Sequence, residues 1–182
     1  MADCLNYNCD PIGDHAILDA CKKGIKGGAK DIIFFSCGYT TTDFTNGTQI
    51  QSDIDGNLAK LIQNVTFSFG KPSDQTVDSL VACSPQISVN KEWSGAIVDG
   101  NVMADNDDFW DSLMCGPTIG AMLVLNCGEE GETATLIDAE ISFSGGKVFP
   151  ATNKEFQRYE IDLKWVSCYN PRTISAPANV WN

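Results

Sequence analysis

Residues 132–166 constrain the fold more than any other stretch, because two long runs in them alternate apolar and polar side chains. Within 135–143 the odd positions Ile137, Ala139, Ile141 and Phe143 are apolar, while Asp138, Glu140 and Ser142 are polar. After a Gly-Gly and Pro connection over 144–150 the pattern resumes. Tyr159, Ile161, Leu163 and Trp165 form one row, and Arg158, Glu160, Asp162 and Lys164 form the other. A period of two puts each row on its own face of a strand, so the stretch predicts two long strands, each buried on one face and wet on the other.

Most of the remaining chain also reads as strand. Residues 31–37, with Ile32, Ile33, Phe34 and Phe35 in a row, predict a strand buried on both faces. Residues 64–69 alternate, with Val65, Phe67 and Phe69 on one side. Residues 86–98 predict a long strand, with Ile87, Val89, Trp93 and Ile97 on one face and a bend or bulge near Gly95. Residues 118–127 form a further apolar run. The stretch 38–55, rich in Thr, Asn, Gly and Asp, reads as a loop with a short strand around 49–51, and 71–77, containing Pro72, as a polar connection.

Helix signals are two. Asp14 can cap a short helix over 15–23 that ends at Gly24, and the acidic run 105–108 precedes Phe109, Trp110, Leu113 and Met114, with Gly116 and Pro117 as the stop. Carboxylates at a helix start are stabilised by the free N–H groups there, which accounts for the acidic run as well as a metal would. Six to eight strands and two short helices amount to an antiparallel sandwich or barrel with helices docked on it. Residues 1–13 and 170–182 read as extended arms of one domain spanning 1–182, and Trp181 in the second arm calls for a partner surface.

Charge narrows the functional classes. Twelve Lys and Arg against 24 Asp and Glu leave a net charge of −12, a surface that repels nucleic-acid phosphates and anionic membranes. That charge serves solubility, or lets a surface face DNA without adhering to it. The N-terminus has neither a basic start nor an apolar core, so folding in a cytosol is expected, and no apolar run is long enough to span a bilayer.

Catalytic signatures are weak throughout. Eight cysteines occur without a Cys-x-x-Cys pair, and His15 is the one histidine. Free and mostly buried thiols, disulfides, or a metal held by Cys4, Cys9, His15 and Cys21 all fit that inventory, although the spacing matches no common zinc site. A Cys–His–Asp arrangement would need His15 and Asp14 and has no supporting local sequence. The Gly-rich 24–28 lacks the Gly-Lys-Ser/Thr ending of a phosphate loop. Residues 53–57 hint at a calcium loop, but the downstream glutamate is missing and a turn is the simpler reading. Trp93, Trp110 and Trp165 would suit a sugar-binding β-sandwich, except that Trp93 and Trp165 fall on apolar rows.

The order of elements is a strand, a long loop, a long bent strand, a short acid-capped helix (107–114), a strand and a terminal hairpin. It resembles the tail-tube proteins of long-tailed bacteriophages and related contractile injection machines. Residues 134–166 resemble the paired strands near the C-terminus of such proteins, and 27–34 (GGAKDIIF) are similar to a segment common in phage structural proteins. The resemblance implies a mainly β fold, a β-sandwich or half-barrel of antiparallel strands with one or two short helices docked on it. It further implies a virion structural protein, made in the host cytoplasm, with no catalytic, cofactor or metal residues and no membrane anchor. Subunits of that family join edge to edge into homohexameric rings that stack into a hollow tail tube. They contact other virion tail proteins, and DNA passes along an acidic lumen without specific binding.

In such a tube the loop 38–55 and both arms would meet neighbouring rings. The polar row Arg158, Glu160, Asp162 and Lys164 becomes a candidate assembly or lumen face. Eight cysteines are many for a tube subunit and do not belong to the resemblance. The alternative readings are a carbohydrate- or ligand-binding β-sandwich module, or another phage ring or capsid-decoration protein.

Overall fold

A computed structural model of the chain describes residues 29–77, 87–102, 104–115, 119–126, 133–150, 156–178 and 180. The expected first arm and first helix, the 24–28 turn, Cys4, Cys9, His15, Cys21 and Trp181 lie outside them. In chain order the elements are β1 (Ala29–Ser36), α1 (Gly47–Asp55), β2 (Ala59–Phe69), β3 (Ser73–Val77), β4 (Ile87–Asp99) and α2 (Ala104–Cys115). They continue with β5 (Ile119–Asn126), β6 (Thr133–Ile137), β7 (Ile141–Val148), β8 (Arg158–Ser167) and β9 (Arg172–Ser175).

The fold is mainly β, and its centre is a closed six-stranded antiparallel barrel rather than a sandwich or half-barrel. The strands run β1-β2-β4-β8-β7-β5, and β5 pairs back onto β1 from Lys30↔Asn126 to Ser36↔Ile119. Each of those six strands is paired on both sides, although β7 meets β5 at Ile119↔Ile141 alone. Three further strands extend the sheet: β3 continues the line of β2 along β4, β6 pairs with β5, and β9 pairs with β6.

Alternation sorts the side chains between two cores. The barrel interior holds Ile32 and Phe34 of β1, Trp93 and Ile97 of β4, and Tyr159, Ile161, Leu163 and Trp165 of β8. The second core lies outside the barrel wall formed by β1 and β5. There Ile33, Phe35, Ala121, Leu123 and Leu125 are covered by Ile50 of α1, by Ala134 and Leu136 of β6, and by Val180. The apolar run in β1 is therefore buried on both faces, as its composition predicts.

Two register shifts along β1 adjust this alternation, and a third lies between Gln75 and Thr76 where β3 pairs with β4. In β2, Ile62 and Val65 both face the barrel interior although they are three residues apart, because the β1 register shifts between Lys30 and Ile32. Asn64 takes φ 59° there. Its N–H donates to buried Asp31 at 3.0 Å, so a carboxylate inside an apolar strand pins the extra residue. The second shift lies between Phe35 and Ser36, opposite 119–121. No register shift accompanies Gly95 along β8, so that ladder carries no bulge there.

Several connections expected from composition are ordered elements. Residues 47–55 form a helix rather than a loop with a short strand. Asn46 caps it by accepting from the Thr48 N–H, and Ile50 reaches the outer core. Residues 73–77 are a strand because β4 supplies a ladder for them. Residues 144–148 stay within β7, so the turn to β8 comes later. Gly145, at φ 126°, allows Glu160 O to approach within 2.2 Å of where a Cβ would sit, so this glycine permits close strand contact rather than a turn. The expected arm 170–182 carries β9, and Ala178 then lies against Gly47. Among the described residues no helix is long and apolar enough to cross a membrane.

Candidate assembly surface

The barrel's two ends are closed in different ways, and this fixes which surfaces remain available. At one end α2 inserts Phe109, Trp110 and Leu113 into the interior core instead of lying across a sheet. A polar network holds it there. Asp99, fully buried, accepts from the Asn101 N–H and side-chain amide at 2.8 Å each and from Trp110 Nε1 at 3.0 Å. Asn106 donates to Asn101 O at 2.7 Å, so the turn after β4 and the start of α2 share one set of partners.

The acidic run leading α2 acts through Asp107. Its two oxygens each lie 3.0 Å from Lys147 Nζ, and the Tyr159 hydroxyl donates to it. The Tyr159 hydrogen bond, then Lys147, hold the Asp107 carboxyl below its ordinary range. Burial first, and then Asp107, push the Tyr159 phenol well above its own. The helix start is thereby tied to β7 and β8, which neither the capping argument nor a metal reading anticipates.

At the other end β4 and β8 set Trp93 opposite Trp165, with ring centroids 5.9 Å apart and planes 2° from parallel. Phe69 packs edge-on against both, at 6.1 and 6.4 Å. These tryptophans are interior, so neither offers an open platform.

The outer wall of β2, β4, β8 and β7 carries no covering element among the described residues. Cross-strand registers put Ser68, Ala96, Asp162 and Ser144 in one row, and Thr66, Val98, Glu160 and Gly146 in the next. Ser94, Lys164 and Ser142 make a third. The side chains are small apart from the charged row expected on β8. Glu160 receives Arg158 Nε at 2.7 Å, whereas Asp162 and Lys164 are exposed.

Two strand edges are also uncovered: among the described residues β3 pairs with β4 alone and β9 with β6 alone. The backbone N–H and C=O groups on those edges are a template for another strand.

Other candidates from sequence resolve into structural roles. Asp53, read with 53–57 as a possible calcium loop, accepts from the N–H and hydroxyl groups of both Thr40 and Thr41 at 2.6–3.2 Å. Burial alone would raise its carboxyl, but those four donors together hold it below its ordinary value. Asp55 accepts from Gln51, and Asn57 accepts from Lys60, so the segment ends a helix. Cys83 and Cys127 also lie outside the described residues; of the three cysteines within them Cys37 is half-buried and the other two do not follow the expectation of burial. Cys115 is an exposed free thiol, and exposed Cys168 donates to Asn90 Oδ1 at 2.8 Å. Neither a protein-family model nor any curated protein matches the chain.

Proposed function

We propose that the chain is a structural subunit of a bacteriophage tail tube that acts by self-assembly rather than catalysis. The observation that carries this reading is the pair of open edges. Among the described residues β3 and β9 each pair on one side only, whereas each of the six barrel strands is paired on both. Pairing β3 of one copy with β9 of the next continues the sheet head to tail, a heterologous contact that closes into a ring when the rotation per subunit divides the circle. The homohexamer implied by resemblance is one such closure. The uncovered wall of β2, β4, β8 and β7 supports a lumen role, since small side chains with Glu160 and Asp162 suit a slippery face. The net charge of −12 repels passing DNA.

Negative-stain microscopy of the purified chain tests the reading directly: rings or hollow filaments are expected. Proline in β9 sharpens it. Successive residues of an edge strand direct their N–H groups alternately toward and away from the partner. Of Thr173→Pro and Ile174→Pro, one removes only an outward N–H. That variant keeps its melting temperature and loses assembly. A chain that stays monomeric at high concentration, with or without stacked-ring seeds, overturns the reading.

A further inference from the structure

The hydrogen-bonded ladders at the C-terminal end of β8 do not run on without interruption. β7 pairs with β8 up to Ile141↔Trp165, and β6 pairs with β9 from Leu136↔Arg172. Between those points one strand contributes residues 137–140 and the other 166–171, so the longer side bows away from the shorter. A cleft of about 490 Å³ opens in the gap, within the range of small-molecule sites.

The floor of the cleft is apolar, formed by Ile137 and by Trp165, whose indole is held in place by its stack on Trp93. The rim is different in kind. Tyr169 lines it and is 79% exposed, an aromatic ring left largely in water. Asp138 and Arg172 face each other across it, with Arg172 Nη2 donating to Asp138 Oδ2 at 3.3 Å. Asn170 stands beside them, its side-chain oxygen 3.5 Å from Lys91 Nζ.

The hydrogen-bonding capacity left over is mixed. Asp138 Oδ1 can accept, and the remaining Arg172 guanidinium N–H groups and the Asn170 amide can donate. The Asp138–Arg172 pair is neutral as a unit, Lys91 is engaged by the Asn170 oxygen, and the protein's net negative charge disfavours an anionic ligand. A ligand that satisfies donors and acceptors side by side while laying an apolar face on an aromatic ring is a polyhydroxylated ring. Adjacent hydroxyls bridge a carboxylate and a guanidinium, and the axial C–H face stacks on tyrosine.

We infer that the cleft between the β7–β8 and β6–β9 ladders binds a neutral pyranose sugar, stacked on Tyr169 and hydrogen-bonded by Asp138, Arg172 and Asn170. The site lies beside an edge used in the proposed assembly, since Arg172 begins β9, so sugar binding is measured on the unassembled chain.

The test titrates the full chain with neutral sugars (glucose, galactose, N-acetylglucosamine and their disaccharides) and follows tryptophan emission, to which Trp165 in the cleft floor contributes. The result expected is a saturable change with at least one sugar. Tyr169→Ala weakens it roughly tenfold, the worth of one ring contact, and its melting temperature is kept because the ring is solvent-exposed. Asp138→Ala and Arg172→Met weaken binding in the same direction. The inference is overturned if no neutral sugar saturates into the high millimolar range, or if Tyr169→Ala binds as the parent does. It is overturned equally if glucuronate or glucosamine binds more tightly than its neutral counterpart. A failure of assembly leaves these readings untouched, and a failure of sugar binding leaves the ring measurement untouched.

Discussion

The two outer walls of the barrel are built from the same kind of strand and end in opposite environments. β1 and β5 present Ile33, Phe35, Leu123 and Leu125 outward, and α1, β6 and Val180 cover them. β4 and β8 present Ser94, Ala96, Asp162 and Lys164 outward, and among the described residues nothing covers them. The difference shows how a small barrel acquires a direction. One wall is a second core that adds to stability, and the other is surface free to be selected for contact or for repulsion. Substitutions on the two walls should therefore differ in kind, and not only in size.

The largest effect is expected at Phe35, buried against Tyr39 and Phe44 on the covered wall. Phe35→Ala should cost about 3–5 kcal/mol in denaturant unfolding, whereas Ser94→Ala on the other wall should stay within about 0.5 kcal/mol. Comparable losses would break the distinction between the walls.

Next comes the strap that closes the outer core. A Cβ on Gly47 would sit 1.9 Å from Ala178 O, so Gly47→Ala must lift the strap or move α1. A loss of about 1–3 kcal/mol is expected, together with faster amide exchange and proteolysis at 176–180 but not in β8.

Acid titration separates the walls more finely. Because the Asp53 carboxyl is held below its unfolded value, its contribution is present above that unfolded value and is lost as pH falls through the folded one. Melting temperature should therefore fall on acidification, and Asp53→Asn should flatten part of that fall. Asp31 runs the other way: burial raises its carboxyl over the opposing hydrogen bonds from Asn64 and Gln63. Its contribution is thus greatest at low pH and fades as pH rises through the raised value. A steeper acid loss in Asp31→Asn than in the parent is the sign to look for.

The smallest effect on stability should carry the clearest consequence for function. Asp162→Lys on the uncovered wall should leave unfolding within about 0.5 kcal/mol. Assembled particles should nonetheless retain DNA at low salt and release it as salt is raised. Unchanged DNA retention in assembled Asp162→Lys particles would remove the lumen assignment from this wall.

What could be read in advance follows from how local the deciding physics is. The β8 rows are legible because Tyr159, Ile161, Leu163 and Trp165 need only a period of two to share a face, and α2 because acidic residues precede an apolar helical face. α1 was hidden because a nine-residue helix with Ile50 and Ile54 among Thr, Gln, Ser and Asp has the composition of a loop. Its buried Gly47 and Asp53 are explained by Ala178 and by Thr40 and Thr41. β3 contains no apolar alternation and is a strand because β4 offers it partners. The cleft escaped notice because Asp138 and Arg172 are 34 residues apart and meet only where two ladders part.

The sequence by itself therefore determined which side chains avoid water along each strand, and with that a mainly β chain carrying an acid-led helix. Only the tertiary structure decided that the sheet closes through β1 and β5 and, among the described residues, that one wall is roofed and its opposite left bare and that two short strands keep open edges. Face preference is settled by each residue and its neighbours two positions away. Closure and register depend instead on pairings between strands far apart in the chain, such as Ile33 with Leu123. The entropy of bringing such segments together is offset only when the whole barrel forms.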